Sequence, residues 1–248
     1  MNVNLEYCDP FLMKQAAFWM KIEHCGRYLW AAEFLRNKNC KRIADFACAS
    51  GYGTYILADE TSAEYIFGAD VNIQCIEFAK KYYFHQGIEY KCMDFDETDF
   101  NTEEKFDAIV SFETLEHVNY PQNLLDNFFN ILTSKGWLVI SVPNESYERF
   151  DEYGNNRDPF HKSTFSKKQM IDLLERSGFE IRDILGQSAC NYAMMEMSKL
   201  KAEHTEDQLE EIYPNNKVSI ELFSKVIGMP CGRNLDDTYS YLFVCQKG

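Results

Sequence analysis

The chain of 248 residues is 46% hydrophobic and carries a formal net charge of −14, which suits one domain with an appendage around a single core. The acidic balance argues against a nucleic-acid partner, because a phosphate backbone selects basic surfaces. With no apolar run near the roughly 20 residues of a membrane span and no basic-then-apolar start, we expect a cytoplasmic protein without a membrane partner.

The cysteine pattern also agrees with a cytoplasmic location, where thiols stay reduced. The nine cysteines are scattered, and no two of them form a Cys-x-x-Cys pair. An odd count without metal-ligand spacing predicts reduced, mostly buried thiols instead of a disulfide framework or a zinc site.

The first predicted element is helical. Residues 10–36 carry apolar side chains near helical spacing, which predicts two helical segments before the first strand. Within them, Glu23 and Arg27 are four residues apart, and His24 and Tyr28 share an adjacent face. Spacing alone therefore describes a surface ion pair beside a packing stripe.

A strand, a turn of small residues and a helix follow at 43–58. The apolar run Ile43–Cys48 predicts a buried strand, and Tyr55–Ala58 continues as a helix. This arrangement brings backbone close to a nucleotide-like ligand. The dinucleotide pattern Gly-x-Gly-x-x-Gly fails, because its third glycine would fall at Ile56. The chain has instead Asp45-x-Ala-Cys-Ala-x-Gly-x-Gly-Thr.

Two further strands end in acids. The strand predicted at 65–70 ends in Asp70, about twenty residues after the turn, where a ribose needs acceptors for its hydroxyls. Asn72 can cap the following helix, predicted at 72–83, which leaves Asp70 available. A third strand, predicted at 88–93, is followed by Asp94 and Phe95.

The remaining elements complete an alternating pattern. Strands are predicted at 106–112, 137–142, 179–185 and 238–245, with a helix from Pro121 to Ser134 that Gly136 ends. Another helix begins at Ser166, which forms a capping box with Gln169. The length of the irregular loop 145–165 indicates a functional or mobile segment. The segment 190–236 is an insertion with adaptable methionines at 194, 195 and 197.

Alternating strands and helices predict a parallel sheet with right-handed crossovers, whose ligands bind beyond the carboxyl ends of the strands. Six polar residues fall at or just beyond those ends: Asp45, Asp70, Asp94, Glu116, His117 and Asn144. This convergence predicts a single ligand site at one sheet edge.

The motifs at 43–54, 65–70 and 106–118 together resemble class I S-adenosylmethionine-dependent methyltransferases. The resemblance implies a seven-stranded Rossmann-like α/β sheet whose last strand is antiparallel. It divides the chain into an N-terminal helical cap (1–40), a cofactor-binding domain (41–189), a helical insertion (190–236) and the last strand (237–248). The insertion is expected to act as a lid, a homodimer contact or a substrate selector.

The same resemblance implies the cofactor site. The helix before the first strand would close over the methionine end, where Arg27 could meet the cofactor carboxylate. Alanines at 47 and 49, where the family often has glycine, keep the turn small but require ordinary φ values. The expected cofactor-binding residues are Arg27, Tyr28, Asp45, Ala47, Ala49, Gly51, Asp70, Val71, Asp94, Phe95, Phe112 and Glu113.

The acceptor is expected to be a hydroxyl, whose high pKa calls for a base. Of five histidines, His117 and His161 are the candidates, with His161 slightly preferred. Glu116, Asn144, Tyr147 and Asp158 are expected to bind substrate. No metal is expected; the alternative of a metal site would draw on Glu113, Glu116, Asn144 and Glu145.

The run Asp158-Pro-Phe-His161 resembles enzymes that methylate sugar hydroxyls. We therefore expect a sugar or sugar nucleotide as the acceptor. A quinone, phenol, amine or carboxylate acceptor and a non-catalytic nucleotide-binding domain are the alternatives.

Overall fold

A computed structural model describes most of the chain: residues 9–12, 18–97, 100, 104–147, 156, 158–187, 202–205, 207–208, 211, 216–232 and 235–248. The methionines at 194, 195 and 197, with the first part of the predicted insertion, residues 190–201, lie outside these residues. Among the described helices, none is long and apolar enough to cross a membrane.

The described residues form a layered α/β fold. The strands are β1 (Arg42–Phe46), β2 (Tyr65–Asp70), β3 (Ile88–Cys92), β4 (Phe106–Phe112), β5 (Leu132–Pro143), β6 (Phe179–Gln187) and β7 (Ser240–Lys247). The helices are α1 (Phe18–Asn37), α2 (Tyr52–Glu60), α3 (Ile73–Tyr82), α4 (Pro121–Ile131), α5 (Lys167–Arg176) and α6 (Lys217–Phe223).

The strands form one seven-stranded sheet in the order β3-β2-β1-β4-β5-β7-β6. β7 runs antiparallel to both β5 and β6, and the pairs among β1 to β5 are parallel. The predicted fold class is confirmed. The division at residues 40, 189 and 236 stays a prediction.

Alternation along the strands produces two buried faces. Ala44 and Phe46 of β1 point to one face, where Phe128 of α4 packs, and Ile43 points to the other, where Leu35 of α1 packs. Successive side chains of a strand face opposite sides, so the run is apolar on both. The sheet is therefore covered by helices on both faces.

The predicted end of α4 is wrong. The helix stops at Ile131, and Leu132 already pairs with Phe106 of β4 as the first residue of β5. The positive φ falls on Lys135, at 62°, and not on the expected terminator Gly136. Pairing with the neighbouring strand has overridden the local helical pattern.

Two predicted helix caps are confirmed. The side chain of Asn72 accepts hydrogen bonds from the backbone amides of Gln74 and Cys75 at the start of α3. Ser166 and Gln169 form the complete capping box of α5. The seven described cysteines are free thiols, and five of them are buried, as the cysteine pattern predicted for this part of the chain.

A close crossing joins α1 to the segment after α6. The π-helical turn Ser224–Gly228 lies so near α1 that a Cβ on Gly26 would overlap the carbonyl group of Gly228. The side-chain amide of Gln187 donates to the carbonyls of Glu23 and Gly228, at 2.9 and 2.5 Å. This contact fixes α1 over the sheet edge that carries the candidate site.

Candidate cofactor and acceptor site

The turn between β1 and α2 is built from positive φ values. Ala47, Ala49 and Gly51 have φ angles of 65°, 48° and 88°. The expectation of ordinary φ values at the two alanines is therefore wrong. The tight turn imposes left-handed backbone there, which alanine adopts at a cost and glycine adopts freely.

The glycines of this turn serve packing. A Cβ on Gly51 would lie 2.6 Å from Cβ of Ala79 and 2.9 Å from the hydroxyl of Tyr90, and a Cβ on Gly53 would overlap the Tyr28 ring. Gly51 does not line the cavity described below. It packs closely against β3 and α3, and its predicted cofactor contact stays a prediction.

Asp45 lies beneath the site. Its carboxylate is fully buried and accepts hydrogen bonds from the hydroxyls of Tyr28 (3.0 Å) and Thr54 (2.6 Å). Burial raises the pKa of Asp45 to about 7. Asp45 is not part of the cavity wall and holds Tyr28, which does line the cavity. Its predicted contact with the cofactor stays a prediction.

A cavity of about 440 Å³ opens at the carboxyl ends of β1, β2, β3 and β4. Ten of the twelve predicted cofactor residues line it, and Asp45 and Gly51 are the other two. The wall consists of His24, Arg27, Tyr28, Ala47, Ala49, Tyr52, Asp70, Val71, Asp94, Phe95, Asp96, Phe112, Glu113, Thr114, His117, Val118 and Lys162.

Two carboxylates face this cavity from adjacent strands. The Asp70 side chain accepts backbone N–H bonds from Ala49 (2.9 Å) and Asn72 (2.8 Å). Burial raises the pKa of Asp70, and these two hydrogen bonds oppose the rise. Asp94 accepts from the amide of Asp96 at 2.9 Å. Both carboxylates are thus held in fixed orientations at the cavity wall.

Arg27 forms an ion pair inside the cavity wall. Its guanidinium lies 2.6 Å from Glu113, and the two side chains are 6% and 23% exposed. Ser141 donates to the same Glu113 oxygen at 2.7 Å. The predicted surface interpretation of the 23–28 helix is wrong, because Glu23 and Arg27 are both buried. Burial and Arg27 lower the pKa of the neighbouring His24 to about 3, so this imidazole is neutral.

A cluster of polar side chains lies at the rim. The rings of His117 and His161 are 4.9 Å apart, and Nδ1 of His117 lies 3.0 Å from the carbonyl oxygen of Phe160. Nε2 of His117 lies 3.9 Å from Glu116, and Nε2 of His161 lies 3.7 Å from Asp158. Burial lowers the pKa of His117. His117 lines the cavity, and His161 lies next to it outside the cavity wall. Which of the two is the base stays a prediction.

Backbone hydrogen bonds hold this rim together. The carbonyl of Glu116 accepts from the amides of Lys162 (2.7 Å) and Ser163 (3.2 Å). The loop that carries Asp158 and His161 is thereby tied to the turn after β4. These residues are far apart in sequence, and the structure brings them to one place.

Two predicted substrate residues lie elsewhere. Asn144 is buried, donates to the carbonyl of Thr238 at 2.8 Å and accepts from the amide of Ser146. Tyr147 packs near Tyr239, with ring centroids 5.9 Å apart. Both anchor the end of β5 to the segment before β7, and neither lines the cavity.

Several wall residues escaped the sequence prediction. His24, Tyr52, Asp96, Thr114, Val118 and Lys162 line the cavity without having been assigned to it. Tyr52 lies between the two turn glycines and Lys162 follows His161, so adjacency to predicted residues was the available signal. Nothing in the acidic run 94–99 distinguishes Asp96 from its neighbours.

A comparison with known protein families identifies the family of this chain. A family model described as "Methyltransferase domain" matches residues 22–184. The chain belongs to this family. It is therefore a class I S-adenosylmethionine-dependent methyltransferase domain, as the sequence motifs implied.

Relatives of this methyltransferase domain are distant. It is 25% identical over 149 residues to a probable S-adenosylmethionine-dependent methyltransferase of Mycolicibacterium smegmatis, covering 58% of this chain and 54% of that one. It is 22% identical to a ubiquinone biosynthesis O-methyltransferase of Haemophilus ducreyi, with 72% and 75% covered. The alignments span 36% to 54% of the length of the first curated relatives it matches.

Solved structures support the fold. A crystal structure of an S-adenosylmethionine-dependent methyltransferase from Mesorhizobium loti matches with a TM-score of 0.61 at 16% identity, covering 88% of this chain and 96% of that one.

The residues of the cavity suit this cofactor. Asp70 offers carboxylate oxygens toward a diol, Asp94 offers an acceptor for an amino group, and Val71 and Phe95 supply apolar surface for a planar ring. Arg27, although paired with Glu113, also lines the wall. These residues therefore fit the hydrogen-bonding groups and the ring of an adenosine, and the charged tail of an amino acid.

Proposed function

We propose that this methyltransferase domain transfers a methyl group from S-adenosylmethionine to a hydroxyl of a small molecule, with a sugar or sugar nucleotide as the preferred acceptor. The observation that carries the proposal is the position of His117: it lines the cofactor cavity and lies at the centre of a polar rim. The cofactor, when bound, supplies an electrophilic methyl group.

The cavity residues have the task of orientation. Asp70 and Asp94 would hold the adenosine half through hydrogen bonds, while Val71, Phe95 and Phe112 exclude water from its faces. Arg27 and Glu113 would bind the carboxylate and ammonium of the tail. Holding donor and acceptor in line supplies much of the rate in such a transfer.

The rim has the task of activating the acceptor. Because Nδ1 of His117 is held against the Phe160 carbonyl at 3.0 Å, Nε2 is left as the nitrogen that accepts a proton. His161 and Asp158 stand directly behind it. Nε2 would accept the proton of a bound hydroxyl as the methyl group is transferred to its oxygen.

Polar side chains at the rim favour a polyhydroxylated acceptor. Asp96 and Lys162 line the cavity, and His161 and Asp158 lie beside His117. Such groups bind sugar hydroxyls well. The similar protein from Haemophilus ducreyi is named as acting in ubiquinone biosynthesis, which makes a phenolic hydroxyl the second candidate. The net charge of −14 suits a small acceptor better than a nucleic acid.

A transfer screen tests the proposal. The full chain is incubated with methyl-labelled S-adenosylmethionine and panels of sugar nucleotides, phenols, amines and carboxylates. We expect label in the sugar panel, and an Asp70→Asn variant should lose most of it through a raised KM for the cofactor. Label in another panel would replace the sugar assignment. Cofactor binding without transfer to any panel would favour the non-catalytic alternative.

A further inference from the structure

The side chains of Glu116, His117 and His161 form a close cluster. One ligand-type atom from each of the three lies within 4.8 Å of the others. Around an ion that holds its ligands at about 2.1 Å, tetrahedral ligand atoms are about 3.4 Å apart. The ligand atoms would therefore have to move closer together around an ion.

From this arrangement we infer that Glu116, His117 and His161 bind a divalent cation of borderline softness, such as Zn²⁺ or Co²⁺. Two imidazoles with one carboxylate is a ligand set of catalytic metal sites, which leave further positions open. Mg²⁺ and Ca²⁺ prefer oxygen ligands alone, so the two imidazoles disfavour them. Among the described residues, this is the cluster of three or more His, Cys, Asp or Glu side chains whose ligand atoms lie close enough to hold a metal ion.

The surroundings of His117 and Glu116 support this assignment independently. Metal-binding histidines usually donate their second ring N–H to a carbonyl or carboxylate, which fixes the tautomer and orients the ring. Nδ1 of His117 faces the Phe160 carbonyl at 3.0 Å, and its Nε2 faces Glu116. Glu116 is 1% exposed, and a buried carboxylate is stabilised by a neighbouring positive charge.

The two parts of the cluster are also rigidly connected. The Glu116 carbonyl accepts backbone hydrogen bonds from Lys162 and Ser163, which directly follow His161. Asp158, 3.7 Å from Nε2 of His161, adds a negative charge beside the cluster. The cluster is thus preorganised by backbone contacts on both sides.

The inference keeps the proposed methyl transfer to a hydroxyl but replaces the role of His117 as a free base. It rests on the proposed function for the role of the ion, though not for binding. Since His117 also lines the cavity, an ion in this cluster would bind the acceptor hydroxyl and lower its pKa. The proton would leave to solvent, the O–C bond would form and the S–C bond of the sulfonium would break. The imidazoles would then act through the ion and not as free bases.

Cobalt binding tests the site without reference to activity. Full chain freed of metal by chelation is titrated with Co²⁺ and followed by visible absorption, then competed with Zn²⁺. We expect one equivalent to bind, with ligand-field bands of nitrogen and oxygen ligands. His161→Ala and the conservative Glu116→Gln should each weaken binding by at least about 10-fold. His85→Asn, which alters a histidine outside the cluster, should bind as the parent does.

Other outcomes would overturn the inference. These are the absence of bands, unchanged affinity in both cluster variants, or thiolate-to-cobalt charge transfer that assigns the ion to exposed Cys92 or Cys231. Thermal denaturation of each variant separates a lost ligand from a lost fold. Calorimetry with S-adenosylhomocysteine on the same metal-free protein reports the cofactor site alone. If S-adenosylhomocysteine does not bind while cobalt still does, the proposed function is wrong and the metal site stands.

Discussion

Tyr28 of α1 donates its hydroxyl hydrogen to Asp45 of β1 across 3.0 Å, at a point where both side chains are buried. The Tyr28 ring occupies the space that a Cβ on Gly53 would need, and it meets Phe112 edge-on with centroids 4.9 Å apart. One tyrosine therefore joins the helix, the first strand and the turn beneath the cofactor cavity.

Removing the Tyr28 hydroxyl should destabilise the fold while keeping the ring in place. Tyr28→Phe leaves a buried Asp45 oxygen without this donor, which costs about 1–3 kcal/mol. Urea denaturation should show that loss, and calorimetry should show weaker binding of S-adenosylhomocysteine because α1 is less well fixed. Tyr82→Phe, at a residue 57% exposed, is the matched control and should change neither quantity. Unaltered stability in Tyr28→Phe would contradict the importance of this bond.

Asp45 should make the protein less stable as pH rises. Its pKa is raised to about 7 in the folded state, against about 3.9 in an unfolded chain. Between these values the folded state binds more protons than the unfolded state, so the free energy of unfolding falls as pH increases from about 4 to about 7. Asp45→Asn removes this contribution.

The measurement is the difference between the parent and Asp45→Asn in denaturation midpoint at a series of pH values. We expect the parent to lose stability relative to the variant through this window and to level off above it. Asp107→Asn, which changes a part-buried carboxylate that accepts amides at the other end of β1, serves as control. A constant difference between parent and Asp45→Asn would show that Asp45 is ionised throughout.

The turn alanines should tolerate glycine unusually well. Ala49 has a φ of 48°, a conformation that costs a non-glycine residue about 1–2 kcal/mol. Ala49→Gly relieves this strain, which offsets the greater entropy that glycine loses on folding. We expect a melting temperature unchanged or raised by a few degrees.

The control is Ala58→Gly inside α2, where the same change removes helix propensity and should cost about 1 kcal/mol. The contrast between the two variants is the diagnostic quantity. An equal loss at both positions would mean that the positive φ at Ala49 carries no strain.

The sequence revealed the frame of this site better than its details. Strand ends are set by runs of apolar residues, so the positions of Asp70, Asp94 and His117 along the chain are enough to assign them to one edge. Asp45 and Gly51 satisfied the same motif, yet packing against Tyr28, Thr54 and Tyr90 decided that they lie beneath the wall. The spacing of residues within a motif does not show which of them a neighbouring helix will cover in the folded protein.

The pairing of Arg27 with Glu113 was hidden for a related reason. The two residues are separated by most of the sheet in sequence, and each was assigned separately to the cofactor. The cluster of Glu116, His117 and His161 depended likewise on a loop whose path no local pattern determines. Long-range proximity of charged side chains became visible only in three dimensions.

The crossing of α1 with the π-helical turn Ser224–Gly228 supplies the last prediction. A Cβ on Gly228 would overlap the carbonyl of Ile22, and one on Gly26 would overlap Gly228 itself. Gly228→Ala should therefore force the two backbones apart and cost about 1–3 kcal/mol, as overpacking does. Because α1 carries Arg27 and Tyr28, affinity for S-adenosylhomocysteine should fall as well. Gly232→Ala is the matched control in the same segment, since its nearest atom would be 3.8 Å away, and it should leave both stability and affinity unchanged. Loss of stability in Gly228→Ala with full cofactor affinity would separate the crossing from the cavity and show that α1 keeps its position without it.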